Sequence, residues 1–407
     1  MVRHIGCTIS MMTIKSVVLS KFFKLFSLFL CLNINFLASP ILAQTPKIVG
    51  LMAVRNEAQI IANSLQALAL YTDAIVVLDD ASTDNTVAVI KSLQTQCRIA
   101  QIIEKERWYR DEPGDKNKLL AVGRAIGGTH FIVIDADEIF TANLLENNLL
   151  KNKILALKSG DKMTITWINL WRSTDAYRYD ASVWSGGEVD AIFCDDGKCG
   201  YDSAFIHSPR SPANLMGTKY DLVLDHNSFD FLNNFLKNTK RELVGGDIGQ
   251  KKARNNLQVQ RCLRDLIENR VMNSDQAVNA CLYCFLFKPE SRFGCYRRDF
   301  TAGLMHFQFV NWENLSIKQA WYRCLEKIRN SDIDIAKINK TYGESKSEID
   351  LRVLPTPENW FKGYDNLIDK TVYQKAKSLY KPQVLQWFAL YSSAYFKELD
   401  IWDINWS

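Results

Sequence analysis

From about residue 47 to 134, short apolar runs alternate with segments whose apolar positions recur every three or four residues. Lys47 to Val54, Ile75 to Asp79, Ile99 to Ile103 and Phe131 to Ile134 read as strands buried on both faces, because runs this short and apolar are bounded by polar turns. Asn56 to Leu70 carries Ile60, Ile61, Leu65 and Leu68 at helical spacing. Ser82-Thr83-Asp84-Asn85 opens a second helix that runs to about Gln94, since short polar side chains satisfy a helix's first free amides. Asn117 to Ile126 is a third helix, stopped by Gly127-Gly128. Strands and helices that alternate through short connections predict an α/β fold with a doubly wound, mostly parallel sheet and right-handed crossovers.

Acidic residues sit where two of these strands end. Asp79-Asp80 closes one, and Asp135-Ala136-Asp137 closes another. On an extended strand, residues two apart share a face, so Asp135 and Asp137 are expected to project together. Open α/β sheets bind ligands at their carboxyl ends, and paired carboxylates there suit a divalent cation carrying phosphates.

Three segments extend this. Val54-Arg55-Asn56-Glu57, Leu78-Asp79-Asp80-Ala81-Ser82-Thr83-Asp84 and Ile134-Asp135-Ala136-Asp137-Glu138, in that order, resemble the N-terminal signatures of family 2 glycosyltransferases with the GT-A fold. The resemblance covers roughly residues 47 to 140. It implies nucleotide contact by Asp80 with Asp79 beside it and by the Arg55, Asn56, Glu57 motif, ribose or metal contact by Asp135, and metal binding by Asp137. It also implies Mn2+ or Mg2+ as cofactor, a nucleotide-sugar donor (UDP-linked by default), a glycan, lipid or protein acceptor, and transfer with inversion. Family members often complete the metal site with a downstream histidine, and His306 in Leu304-Met305-His306-Phe307-Gln308-Phe309 is the positional match; an imidazole ligand would favour Mn2+. A core histidine is the alternative. Many members carry the catalytic base in an acidic motif of the second half. No clean copy stands here, and Glu188, Asp190 and Asp202 are the candidates, in no order.

Charge and targeting set limits around the site. The formal net charge is +5, but the first 43 residues hold four Lys/Arg and no acids, which leaves 46 minus 45, or +1, for the rest. No basic field points to nucleic acid. Lys15, Lys21 and Lys24 precede an apolar stretch from Leu25 to Leu32, and Ile41-Leu42-Ala43 offers a small-residue cleavage point, so residues 1–43 read as a signal peptide, with a signal anchor and membrane association as the alternative. Either places the remainder in the secretory route. Of ten cysteines, eight lie beyond that segment, and Cys194 and Cys199 flank a turn that a disulfide would close. Cys281-Leu282-Tyr283-Cys284 lacks a second ligand pair for zinc.

The chain divides into a core over 46–217, an insertion over 218–299 rich in Asn, Lys and Arg, a return to the core over 300–330, and a helical C-terminal extension over 331–407. Met163 to Leu170 reads as a strand, and Trp171, Arg172, Trp184 and Tyr201 offer groups that suit sugars or core packing equally. A helix from about Leu315 carries Lys318 and Arg323, which either reach a diphosphate or lie on a charged surface. Two other function classes remain open: a nucleotidyltransferase, which would need a Gly-rich loop where Ala53-Val54-Arg55-Asn56 stands, and a catalytically silent, exported sugar-binding protein.

Overall fold

A computed structural model describes residues 45–178, 187–202, 208–222, 301–348, 351–377 and 380–407. The targeting segment, most of the expected insertion, Trp184, Cys262, Cys281, Cys284 and Cys295 lie outside the described residues. The strands are β1 (Ile48–Val54), β2 (Ala74–Asp79), β3 (Ile99–Glu104), β4 (His130–Val133), β5 (Glu138–Phe140), β6 (Lys162–Asn169), β7 (Ala176–Arg178), β8 (Gly187–Cys194), β9 (Lys219–Asp221), β10 (Leu304–His306) and β11 (Val353–Pro355). The main sheet runs β3-β2-β1-β4-β8-β6-β10-β5, with β9 paired to the start of β6. β3, β2, β1 and β4 are mutually parallel, β8 runs against both β4 and β6, and β10 lies parallel to β6 and antiparallel to β5. The order reverses between β1 and β4, which is where such sheets open a ligand crevice.

Both faces of β1 are covered, as its uninterrupted apolar run predicts. Ile48, Met52 and Val54 join a core that includes Leu65 and Leu68 of α1 (Ile61–Ala69). Val49 and Leu51 pack in a second core with Leu119 and Leu120 of α3 (Glu112–Ala125). The α3–sheet approach is close: a Cβ on Gly123 would stand 2.6 Å from the Phe131 ring. Between them lies α2 (Thr86–Ser92).

Helix boundaries depart from the periodicity for local reasons. α1 starts at Ile61 rather than Asn56, because residues 56–60 are spent on the turn that carries the first motif. α2 starts one residue past Asn85, and it is Asp84 that accepts from the Thr86 amide at 3.0 Å. α3 starts at Glu112, ahead of Asn117, because Asp111 accepts from the Gly114 amide at 3.0 Å and Pro113 fits the first turn.

The later helices are α4 (Leu149–Leu155), α5 (Trp312–Arg329), α6 (Ile335–Glu344), α7 (Thr371–Lys375) and α8 (Tyr380–Tyr391). The C-terminal region carries the helices α6, α7 and α8 and is woven into the core. β11 pairs with β7, Trp360 is fully buried, and the Tyr364 hydroxyl donates to the Phe140 carbonyl at 2.8 Å. Pro46 to Ser407 accordingly cluster as one compact unit. Among the described residues, no helix is long and apolar enough to cross a membrane.

The expected Cys194–Cys199 disulfide is absent. Both thiols are free and buried, as are Cys97 and Cys324. The turn is closed instead by Asp196, which accepts from the amides of Lys198 and Cys199 at 2.8 and 2.6 Å. Burial pushes the two thiols up to about 11 and about 12, so both stay protonated at neutral pH.

Candidate functional site

The turn after β1 and the turn after β2 are built against each other. The Arg55 guanidinium donates to the carbonyls of Asp80 and Ala81 at 2.6 and 2.5 Å and lies 5.1 Å from the Trp108 ring centre. Asn56 Oδ1 accepts from the Thr83 amide at 2.7 Å, and Asp79 Oδ2 accepts from the Ser82 amide at 2.9 Å. Asn56 and Ala81 both take left-handed backbone, with φ of 56° and 54°. Arg55, Asn56 and Asp79 thus hold the turns in shape. Asp80 faces the main cavity, ion-paired at 2.5 Å with Lys105, which also reaches Asp115 at 2.9 Å. Glu57 lines a smaller adjoining cleft; burial raises its carboxyl to about 8, opposed by Lys318 and reinforced by Asp137 and Asp84.

The Asp135-Ala136-Asp137 motif corrects one expectation. β4 ends at Val133 and the chain turns at residues 136–137, so the motif is not the extended strand expected, although Asp135 and Asp137 both line the main cavity. The turn is closed by the Glu138 amide donating to the Asp135 carbonyl at 3.2 Å and by the Asp135 amide donating to Glu138 Oε2 at 2.8 Å. Asp135 keeps 56% of its side chain exposed, whereas Asp137 keeps 12%. Glu138 is wholly buried and is matched by the Arg210 guanidinium, whose two terminal nitrogens reach its two oxygens at 2.6 Å each. Trp167 Nε1 donates to Glu138 Oε1 at 2.8 Å, and Arg210 also reaches Asp135 Oδ2 at 2.9 Å. Burial opposes the charge on Arg210, but Asp135 and Glu138 outweigh it and drive its pKa upward.

His306 comes to this motif through the sheet. β10 lies between β5 and β6, with His306 in register with Glu138 on one side and Asn169 on the other. Its ring stacks on Trp167 at 4.4 Å, Nδ1 bonds Asn169 Oδ1 at 2.8 Å, and Nε2 stands 3.5 Å from Asp137 Oδ2. The Asn169 contact orients the ring so that Nε2 faces the carboxylate oxygen, where a neutral imidazole offers a lone pair to a shared cation and a protonated one donates to the carboxylate. Ligands about 2.1 Å from one ion stand about 3.0 to 3.4 Å apart, so the pair fits a divalent metal. Lys318 Nζ approaches the same Asp137 oxygen at 3.2 Å. Burial alone would raise the Asp137 carboxyl, but Lys318 and His306 hold it well below the usual carboxylate range.

Asp135 does not join that pair. Among the described residues, the one trio of His, Cys, Asp or Glu donor atoms all within 4.8 Å of one another is Asp195, Asp196 and Cys199. Those carboxylates are already engaged by Arg124 at 2.6 Å and by turn amides.

Asp80, Asp135, Asp137, Trp167, Lys116, Arg210, His306, Lys318 and the α5–α6 face enclose a cavity of about 630 Å³ at the carboxyl ends of β1, β2 and β4. Val189 lines it, so Glu188 and Asp190, its neighbours on β8, face the other side of the sheet. Asp190 is bound there by Lys162, Lys219 and Thr164 at 2.8, 3.0 and 2.7 Å. Asp202 is exposed and off the cavity wall. None of the three base candidates is brought to the acidic motif. Sequence reasoning missed Arg210, Trp167 and Lys116. The one hint was Glu138, an acid directly before Ile139-Phe140, which has to find a cation if it is to be buried charged.

Residues 51–151 match the family model for glycosyl transferase family 2. No curated protein matches. Among solved structures, Staphylococcus aureus TarS 1-349 is 12% identical, with 62% of this chain and 89% of that chain covered and a TM-score of 0.27. A mannosyltransferase from Pyrobaculum calidifontis, solved with GDP-Man and Mn2+, is 14% identical over 62% of this chain and 74% of its own, with a TM-score of 0.28. Glucosyl-3-phosphoglycerate synthase from Mycobacterium tuberculosis, solved with Mn2+ and UDP, is 20% identical over 31% of this chain and 44% of its own, with a TM-score of 0.22. Likenesses this weak carry no weight for site or substrate.

Proposed function

We propose, from the match of residues 51–151 to the family model for glycosyl transferase family 2, that the chain moves a glycosyl group from a nucleoside-diphosphate sugar, UDP-linked by default, to an acceptor hydroxyl with inversion. The bond from the anomeric carbon to the diphosphate oxygen breaks, the bond to the acceptor oxygen forms, and the acceptor proton leaves to a base. The carrying observation is the Asp137–His306 pair, 3.5 Å apart, on the wall of a 630 Å³ crevice at the sheet's switch point.

Asp137 and His306 would hold a divalent cation, Mn2+ or Mg2+, which supplies Lewis-acid stabilisation of the leaving diphosphate. The chain's own part is positioning. Asn169 and Trp167 orient the imidazole, and Arg210 pairs with Glu138 and holds Asp135 at the cavity. Asp80 lines the same cavity and would meet the nucleoside. Lys318 brings positive charge to the corner where diphosphate charge grows. The Lys-flanked apolar segment within residues 1–43 supports export.

Thermal unfolding with UDP or GDP, each with and without Mn2+, tests this. One nucleotide at a hundredfold its Kd should stabilise the protein by about 2.7 kcal/mol, and only with metal present. Absence of any nucleotide response, or one indifferent to metal, overturns the reading.

A further inference from the structure

Lys318 stands where the two cavities meet. The main cavity takes Lys318 and the turns after it from α5, whereas the smaller cleft, of about 80 Å³, takes Asn314, Leu315 and Lys318. Asp137 lines both as well. Helix side chains lean toward the helix N-terminus, which for Lys318 is toward Asn314 and the cleft.

Its ammonium holds a place that a metal would need. Nζ lies 3.2 Å from Asp137 Oδ2, the same oxygen that His306 Nε2 faces at 3.5 Å. Burial opposes the Lys318 charge, but Asp137 outweighs it, so the ammonium stays protonated and serves Asp137 as a built-in counter-ion. A divalent cation on that oxygen would stand within a few ångströms of the ammonium, in a corner where all three side chains are largely buried and the repulsion is poorly screened. The two cannot share it.

The cleft offers the lysine a second seat. Glu57 lines it with Asn314 and Lys318, and among the described residues its carboxylate forms no hydrogen bond or ion pair. Burial raises that carboxyl to about 8, and Lys318 is the charge that opposes this most, so an ammonium drawn closer favours the ionised acid. A lysine's flexible stem can pivot between neighbouring carboxylates while its backbone stays fixed.

We propose that Lys318 is a tethered competitor for the metal: it holds Asp137 while no cation is bound, and yields that oxygen to Mn2+ or Mg2+ by turning to Glu57, which acts as a positioning residue. The inference rests on the metal site of the transferase reading above. Charge at the corner stays balanced through the exchange, because the metal answers Asp137 and the ammonium answers Glu57. Bare metal therefore binds more weakly than its ligands alone would allow.

Mn2+ titration of the full chain without nucleotide, followed by electron paramagnetic resonance on Lys318→Met, Glu57→Gln and the double variant, tests this. Lys318→Met should bind Mn2+ roughly tenfold more tightly than wild type, because the competitor is gone. Glu57→Gln should bind it roughly tenfold more weakly, because the displaced ammonium meets no acid, yet in the Lys318→Met background the same change should shift affinity less than about twofold. Lys318→Gln, which is neutral but still donates a hydrogen bond, serves if the methionine variant fails to fold. Equal weakening by Glu57→Gln in both backgrounds would mean that Glu57 acts through its own charge, and would overturn the proposal; so would Mn2+ affinity that is unchanged, lowered or undetectable in both lysine variants. The metal-dependent thermal response to nucleotide judges the transferase reading separately. If that response is present but neither residue affects Mn2+, the reading stands and only the exchange falls; a cycle that holds in a chain without the response keeps the exchange and discards the reading.

Discussion

Two aspartate pairs follow parallel strands of one sheet, and the structure uses them differently. After β2, Asp79 is spent on the turn and Asp80 is neutralised by Lys105, a neighbour from the next strand's end. After β4, the partners come from far along the chain: Arg210 on Asp135 and Glu138, His306 and Lys318 on Asp137. A pair satisfied locally is scaffolding that presents one carboxylate. A pair satisfied by distant cations and an imidazole assembles only when the second half of the fold has docked, and its charge balance is then open to exchange with a bound cation.

That contrast is broken most severely at Arg210. Arg210→Gln leaves Glu138 buried without its cation, and the protein should lose about 3 to 5 kcal/mol in urea unfolding. Adding Glu138→Gln should recover much of the loss, because an amide pair replaces the stranded charge. Equal stability of the two variants would mean that Arg210 contributes through packing alone.

At His306 the effect is smaller and falls on metal rather than fold. His306→Ala should weaken Mn2+ binding about tenfold, or about 1.4 kcal/mol, with His306→Gln recovering part of it through an oxygen donor. Lost apo stability with unchanged metal affinity would instead return His306 to an ordinary core residue held by Asn169 and Trp167.

The smallest effect is expected at Asp190, on the sheet face away from the cavity. Burial raises its carboxyl, but Lys162, Thr164 and Lys219 more than offset this, so its folded pKa is depressed. A depressed carboxylate stabilises above its unfolded pKa of about 3.9 and loses that contribution as pH falls through the folded value. Asp190→Asn should therefore cost about 1 kcal/mol or less at pH 7 and nothing well below pH 4, with nucleotide binding intact. A variant that binds nucleotide normally but has lost turnover would restore Asp190 as a candidate base.

The local pair was readable because its determinants are local. Strand periodicity, the turn residues and the order of three motifs located β1 to β4, and Asp80 lines the cavity at their carboxyl ends. The distant pair was readable only in part. An apolar alternating run brought His306 back to the sheet, but nothing near Arg210 announces that it will cap Glu138, since tertiary pairing leaves no periodic trace. The strand expected through Asp135 and Asp137 is not formed because β4 stops at Val133, where Glu138 accepts from the Asp135 amide, and the two aspartates reach the one cavity from a turn instead. The helical C-terminal extension joins the main core through Trp360 and Tyr364, since a large buried aromatic packs into whichever core has room for it.

The central claim is that Asp137 and His306 share one divalent cation beside a nucleotide. Mn2+ titration followed by electron paramagnetic resonance, on wild type and Asp137→Asn with saturating UDP or GDP, tests it most directly. The account predicts one tightly bound Mn2+ per wild-type chain, and at least a tenfold loss of affinity in the variant. Unchanged Mn2+ affinity in Asp137→Asn would contradict it.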